Sequence, residues 1–116
     1  MAPSFAVRAS DVTLEPEAID PAQVVAGSPE ISGAVLSESP DGRVVRGVWR
    51  CTPGTLTDME EDELFVVLEG RATIEVQGEA TLEVEAGSVC VLERGARTTW
   101  SVHEPIVKAY QITVHD

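Results

Sequence analysis

The residues best suited to chemistry lie at two places in the chain. Asp58-Met59-Glu60-Glu61-Asp62-Glu63 puts five carboxylates into six residues, and Lys108, the only lysine, stands among apolar neighbours near the C-terminus. An acidic run is ordinarily a solvated loop. Its sharper reading is a hard-cation site, because oxygen ligands suit calcium, magnesium or manganese, but it lacks the spaced ligands and central glycine of a calcium loop. Glu63 stands apart from the rest of the run. Strand alternation gives it the same face as Phe65 and Val67, and a carboxylate among apolar side chains is costly unless paired or hydrogen-bonded. On the last strand Ile106, Lys108, Tyr110, Ile112 and Val114 share a face. A Glu63 to Lys108 contact, direct or through water, would neutralise both charges in a pocket also lined by Tyr110 and Trp100. The competing reading keeps Lys108 near the rim, its ammonium snorkelling to water.

Other reactive groups offer less. Trp49 and Trp100 belong to a sparse aromatic set, 4% of the chain, and read either as core packing or as a stacking wall for a ligand. His103 and His115 lie far from the acidic run and read as surface residues. Ser and Cys nucleophiles have no nearby histidine base in sequence, and no glycine-rich phosphate loop exists. Cys51 and Cys90 are too few for a disulfide scaffold and read as reduced thiols of the core or pocket.

The elements that must position these groups are strands. Glycines at 70, 78, 87 and 95 punctuate alternating apolar stretches, a pattern of strand and turn at short spacing. Arg71 to Gln77 puts Ala72, Ile74 and Val76 on one face, and Ala80 to Glu85 repeats this with Leu82 and Val84. Ser88 to Leu92, Arg97 to Val102 and Ile106 to Val114 follow. Upstream, Ile31 to Glu38 and Arg43 to Thr52 are joined at Pro40-Asp41-Gly42, a tight-turn sequence. The one predicted helix is a short turn over Asp20 to Gly27, with Asp20 as cap and Pro21 at its first position. Leu64-Phe65-Val66-Val67-Leu68 is apolar on both faces, so something must cover the second one, and a second copy of the chain is a natural candidate beside intrachain cover. The expectation is an all-β barrel or sandwich, residues 29–116, preceded by an arm, residues 1–28, that packs on the barrel or a partner.

Length and charge exclude much else. At 116 residues the chain is one domain. Twenty acidic against eight basic residues give a net charge of −12, which repels phosphate backbones and anionic lipid, so no nucleic-acid or membrane partner is expected. No apolar run approaches the roughly 18 residues of a membrane span, and the N-terminus lacks the pattern of a secretory signal, so a cytoplasmic location is expected.

Glu63 followed by Gly70, then Gly87, Glu93, Arg94 and Gly95, resembles the two signature motifs of the cupin superfamily, whose members are conical jelly-roll barrels. The subfamily it is most similar to includes ureidoglycine aminohydrolase and a cupin of ethanolamine utilisation. Its hallmarks stand here as Trp49, Pro53-Gly54, Asp62-Glu63, Val67-Leu68-Glu69-Gly70, Gly95, Thr99-Trp100-Ser101-Val102, Glu104 and Lys108-Ala109-Tyr110, across roughly Gly47 to Ile112. The resemblance implies a metal held by His-x-His, the glutamate and a further histidine. Here the first pair falls on Thr57 and Met59, or on Leu56 and Asp58 with longer spacing, and the third on Thr98, so only Glu63 keeps its ligand type. It also implies a pocket centred on Glu63; if Trp49 and Trp100 form a stacking wall, Thr57 and Met59 would shape its entrance, with Cys51 near it.

The expected protein is a cupin whose pocket, lined by Trp49, Cys51, Thr57, Met59, Phe65, Thr98, Trp100, Lys108 and Tyr110, binds a small molecule. No cofactor is expected, with a divalent metal at low occupancy as the alternative, and a homodimer is expected from the doubly apolar strand. Two rival readings are an enzyme using Glu63 as acid, base or metal ligand, and a structural dimer with an inert, filled core.

Overall fold

A computed structural model of the chain describes residues 3–115. Nine strands follow one another with only two 3-10 turns: β1 (Glu15–Glu17), β2 (Val24–Gly27), β3 (Ile31–Glu38), β4 (Val44–Cys51), β5 (Gly54–Met59), β6 (Asp62–Val76), β7 (Thr81–Glu85), β8 (Val89–Leu92) and β9 (Arg97–Thr113). All pairings are antiparallel. No described helix is long and apolar enough to cross a membrane.

The barrel is made by two strands that each belong to both of its walls. The first half of β6 pairs with β8 and with the second half of β9, which also pairs with β4. The second half of β6 pairs with β7 and with the first half of β9, which also pairs with β5. One wall is therefore β1-β3-β4-β9-β6-β8 and the other β2-β5-β9-β6-β7. The chain passes between them where both long strands bend, at a cluster of register shifts from Val67 to Ala72. Gly70 sits in that bend with φ +86°, backing onto the Pro105 carbonyl. Two expectations are corrected here. The strands expected at Leu64–Leu68 and Arg71–Gln77 are one, Asp62–Val76, and those expected at Arg97–Val102 and Ile106–Val114 are one, Arg97–Thr113, because Gly70 and Pro105 mark bulges rather than turns.

The arm is also more regular than expected. The predicted helix stops after Pro21–Gln23, capped by Asp20, whose carboxylate accepts from the Ala22 N–H. Val24–Gly27 is a strand paired with β5, and Glu15–Glu17 is a strand paired with β3. A second 3-10 turn, Ala9–Asp11, was not foreseen.

The core lies between the walls. Phe65, Val67, Ile74, Cys51 and Ile106 are fully buried, joined by Ala72, Val84, Cys90, Leu92, Trp100 and Val102. The alternation expected for Arg71–Gln77 and Arg97–Val102 holds, with Ala72, Ile74, Val76, Thr98, Trp100 and Val102 inside. The outer face of the first wall differs: Leu64, Leu68, Val89 and Val91 are exposed. Nothing in the described residues covers that second apolar face.

Candidate functional site

The site is a cavity of about 380 Å³ between the walls, bounded by Trp49, Leu56, Glu63, Trp100, Lys108 and Tyr110. Glu17 and Ile19 of the arm close one side, and Asp58, Glu60 and Glu61 the other. A more open groove of about 560 Å³ runs along Gln23, Thr57, Gln77 and Arg97.

At the cavity floor Lys108 Nζ donates to Glu63 Oε2 at 2.7 Å, with both side chains almost wholly out of water. The two residues are not opposite each other. Lys108 faces Val67 and Glu63 faces Ile112, with the Phe65 and Tyr110 pair between them. The lysine therefore reaches along the strand, its ammonium 4.6 Å from the Phe65 ring, 4.4 Å from Trp49, 4.9 Å from Trp100 and 5.9 Å from Tyr110. Such faces attract a cation, and more strongly in a dry site. Trp100 meets Trp49 edge-on at 5.6 Å and Phe65 at the same distance, which fixes the cage.

A second buried carboxylate lies beside this pair. Glu60 is 7% exposed, and its Oε2 accepts from the Thr98 hydroxyl at 2.7 Å and the Trp100 indole N–H at 3.1 Å. The turn carrying it is clamped by two backbone bonds: the Glu60 N–H donates to the Ala96 carbonyl, and the Gly95 N–H donates to the Glu60 carbonyl. Asp62 Oδ1 adds a third tie by accepting from the Arg94 N–H.

Of the residues expected at the pocket, Trp49, Thr57, Met59, Glu63, Trp100, Lys108 and Tyr110 border the cavity, whereas Cys51, Phe65 and Thr98 do not. Cys51 and Phe65 are fully buried core, and Thr98 lies behind the wall holding Glu60. On β5 Leu56 is buried and faces Trp100 across the ladder, while Asp58, opposite Thr98, is exposed at the edge of the cavity. Thr57 and Met59 take the other face of β5, with Thr57 bonded to Gln23 and Met59 mostly exposed. The acidic run is not simply a solvated loop, because Glu60 and Glu63 are both buried. Glu60 was the residue missed. Its signal was the pair of hydrogen-bond donors, Thr98 and Trp100, on one inward face with no acceptor assigned. The histidines stay outside: His103 Nε2 lies 2.8 Å from the Thr73 hydroxyl, and His115 Nε2 lies 2.7 Å from Asp62 Oδ2.

The family's metal site does not fit these side chains. Glu63 is spent on Lys108, the Thr98 hydroxyl donates to Glu60, and no described cluster of three His, Cys, Asp or Glu side chains could hold a metal ion. Burial pushes the Cys51 and Cys90 thiols up to about 11, so neither is a thiolate at neutral pH.

Burial also raises the Glu63 carboxyl above its ordinary 4.5, against the pull of Lys108 and with a push from Glu60, and burial followed by the Glu60 charge raises Asp58 above 3.8. Asp41 and Asp62 are lowered, by the Ser39 hydroxyl and the Arg94 amide respectively.

An all-β half-barrel of two walls, with a charged pocket between them, is the architecture of the cupins. Residues 38–110 match the family model of the EutQ-like cupin domain, and the chain belongs to that family. A protein of unknown function from Pseudomonas syringae pv. tomato superposes with a TM-score of 0.80 at 24% identity, over 89% of this chain and 45% of that one. This chain thus spans less than half of that protein. The EutQ protein of Clostridium difficile superposes at 0.72 with 15% identity, over 96% and 87% of the two chains. A predicted oxalate decarboxylase from Thermotoga maritima superposes at 0.67 with 17% identity, over 96% and 100%. At these identities the likeness is one of fold. No curated protein matches the sequence.

Proposed function

We propose that this chain is a small-molecule-binding cupin that works without a transition metal, with its pocket centred on the Glu63–Lys108 pair. The observation that carries this reading is the cavity itself. Its 380 Å³ lies at the lower end of the roughly 300–1,000 Å³ typical of ligand sites, and an aromatic wall with a few fixed polar groups is the usual lining. Binding is favoured over acid–base catalysis because Glu63 is held in an ion pair with Lys108, and the thiols are protonated. The test is a screen of neutral, anionic and cationic fragments against the indole N–H signals of Trp49 and Trp100, the only tryptophans. Fragments that shift both signals are expected, and metal content by elemental analysis should fall far below one equivalent. A screen with no fragment of any charge shifting either indole would favour the inert-core reading.

The exposed face of the first wall supports a homodimer. Ala109 and Val66, half-buried, and Val89, exposed, form one row across β9, β6 and β8, flanked by the exposed Leu64, Leu68 and Val91. In a chain of charge −12 this row of apolar side chains is where two copies can approach with the least repulsion. Light scattering at micromolar concentration should give twice the 12.4 kDa chain mass, and Val91→Glu should halve it. A monomer mass for the unaltered chain would refute the dimer.

A further inference from the structure

Resting on the small-molecule reading, we propose that the ligand is a small organic cation, an alkylammonium or guanidinium group, with Glu60 as its carboxylate anchor and Trp49 and Trp100 as its aromatic wall. Five carboxylates border the cavity, Glu17, Asp58, Glu60, Glu61 and Glu63, against one ammonium, and that ammonium is bound to Glu63. Glu60 is as buried as Glu63, yet only neutral donors reach it, the Thr98 hydroxyl and the Trp100 indole. A buried carboxylate is ordinarily paired with a cation, and no ion pair to Glu60 exists among the described residues.

An independent feature lies on the same rim. Glu61 Oε2 is buried without any hydrogen-bond donor. An unmet acceptor of that kind is costly, and a ligand rich in N–H groups would satisfy it. An anion would enter a field of uncompensated carboxylates, and a neutral molecule would leave the Glu60 charge unpaired. A divalent metal finds no cluster of three ligands. The aromatic cage already stabilises one ammonium, that of Lys108, and quaternary or primary ammonium groups suit such faces. The chain's −12 charge draws cations toward the mouth. Taking ~30 Å³ as the share of a water-sized group, the space holds a ligand of up to about a dozen non-hydrogen atoms.

The experiment titrates the protein with n-butylammonium, n-butanol and butyrate at matched ionic strength, following the two indole signals. Butylammonium should bind at least tenfold more tightly than the other two. Glu60→Gln, which keeps size and hydrogen bonding but removes the charge, should weaken it at least tenfold, while Glu75→Gln on the outer face should not change it. If Glu60→Gln fails to fold, Glu61→Gln carries the same test. Equal binding of butanol, tighter binding of butyrate, or indifference to both substitutions would overturn the cation assignment and leave the small-molecule reading standing. No response to any of the three overturns the cation assignment, and only the wider screen coming up empty as well removes the binding reading.

Discussion

Glu63→Gln combined with Lys108→Met is expected to fall within about 1 kcal/mol of the unaltered chain, although Glu63→Gln alone should cost about 3–5 kcal/mol. The single change strands an ammonium that is 6% exposed and 2.7 Å from its only anionic partner among the described residues. The four rings around it soften the loss but cannot replace a charge. Lys108→Met alone should cost less than Glu63→Gln, because Glu63 is already pushed toward its neutral form and can take up a proton. That loss should shrink further as pH falls. In the double variant a thioether replaces the ammonium against the same rings, a contact that sulfur makes well. Denaturant unfolding of the four proteins gives the coupling, expected at about 2 kcal/mol or more, whereas exposed pairs rarely exceed about 1. Simple additivity would mean that the two residues do not meet.

What could be read from the sequence follows from the period of the strands. Where one face was apolar and the other polar, as in Arg71–Gln77 and Arg97–Val102, alternation fixed the inward side chains and hence Thr98 and Trp100. Lys108 was legible for the same reason, since Ile106, Tyr110 and Ile112 share its parity. Two things were hidden. Glu60 stood within a run of carboxylates, and its burial depends on a turn clamped to Gly95 and Ala96, partners 35 or more residues away that no local pattern reveals. On β5 the ladder to β9, not the motif spacing, sets Leu56 and Asp58 on the face of Trp100 and Thr98 and puts Thr57 and Met59 on the other. Strand length was hidden too. Glycine and proline ordinarily end a strand, and here each marks a bulge within one.

The bend at that bulge should be the position of the chain least tolerant of a methyl group. Gly70 has φ +86°, which costs an L-residue roughly 1–2 kcal/mol, and a Cβ there would run into the Pro105 carbonyl and the Ile106 backbone. Gly78 provides the comparison, with φ +78° and open space around its missing side chain. Gly78→Ala should therefore lose only the conformational cost, about 1–2 kcal/mol, whereas Gly70→Ala should lose that and about 2 kcal/mol or more from forcing β6 away from β9. The obstructing atoms are backbone, so no rotamer change relieves the collision. Matched denaturant curves for the two variants measure the difference, and equal losses would show that the bend is loose. The site depends on this point as well. Val67, opposite Lys108, lies three residues from Gly70, and Ile106, which the new Cβ would strike, lies two residues from Lys108. A displaced bend therefore shifts the lysine relative to Glu63, and a folded Gly70→Ala protein should show altered Trp49 and Trp100 indole signals while Gly78→Ala leaves them in place.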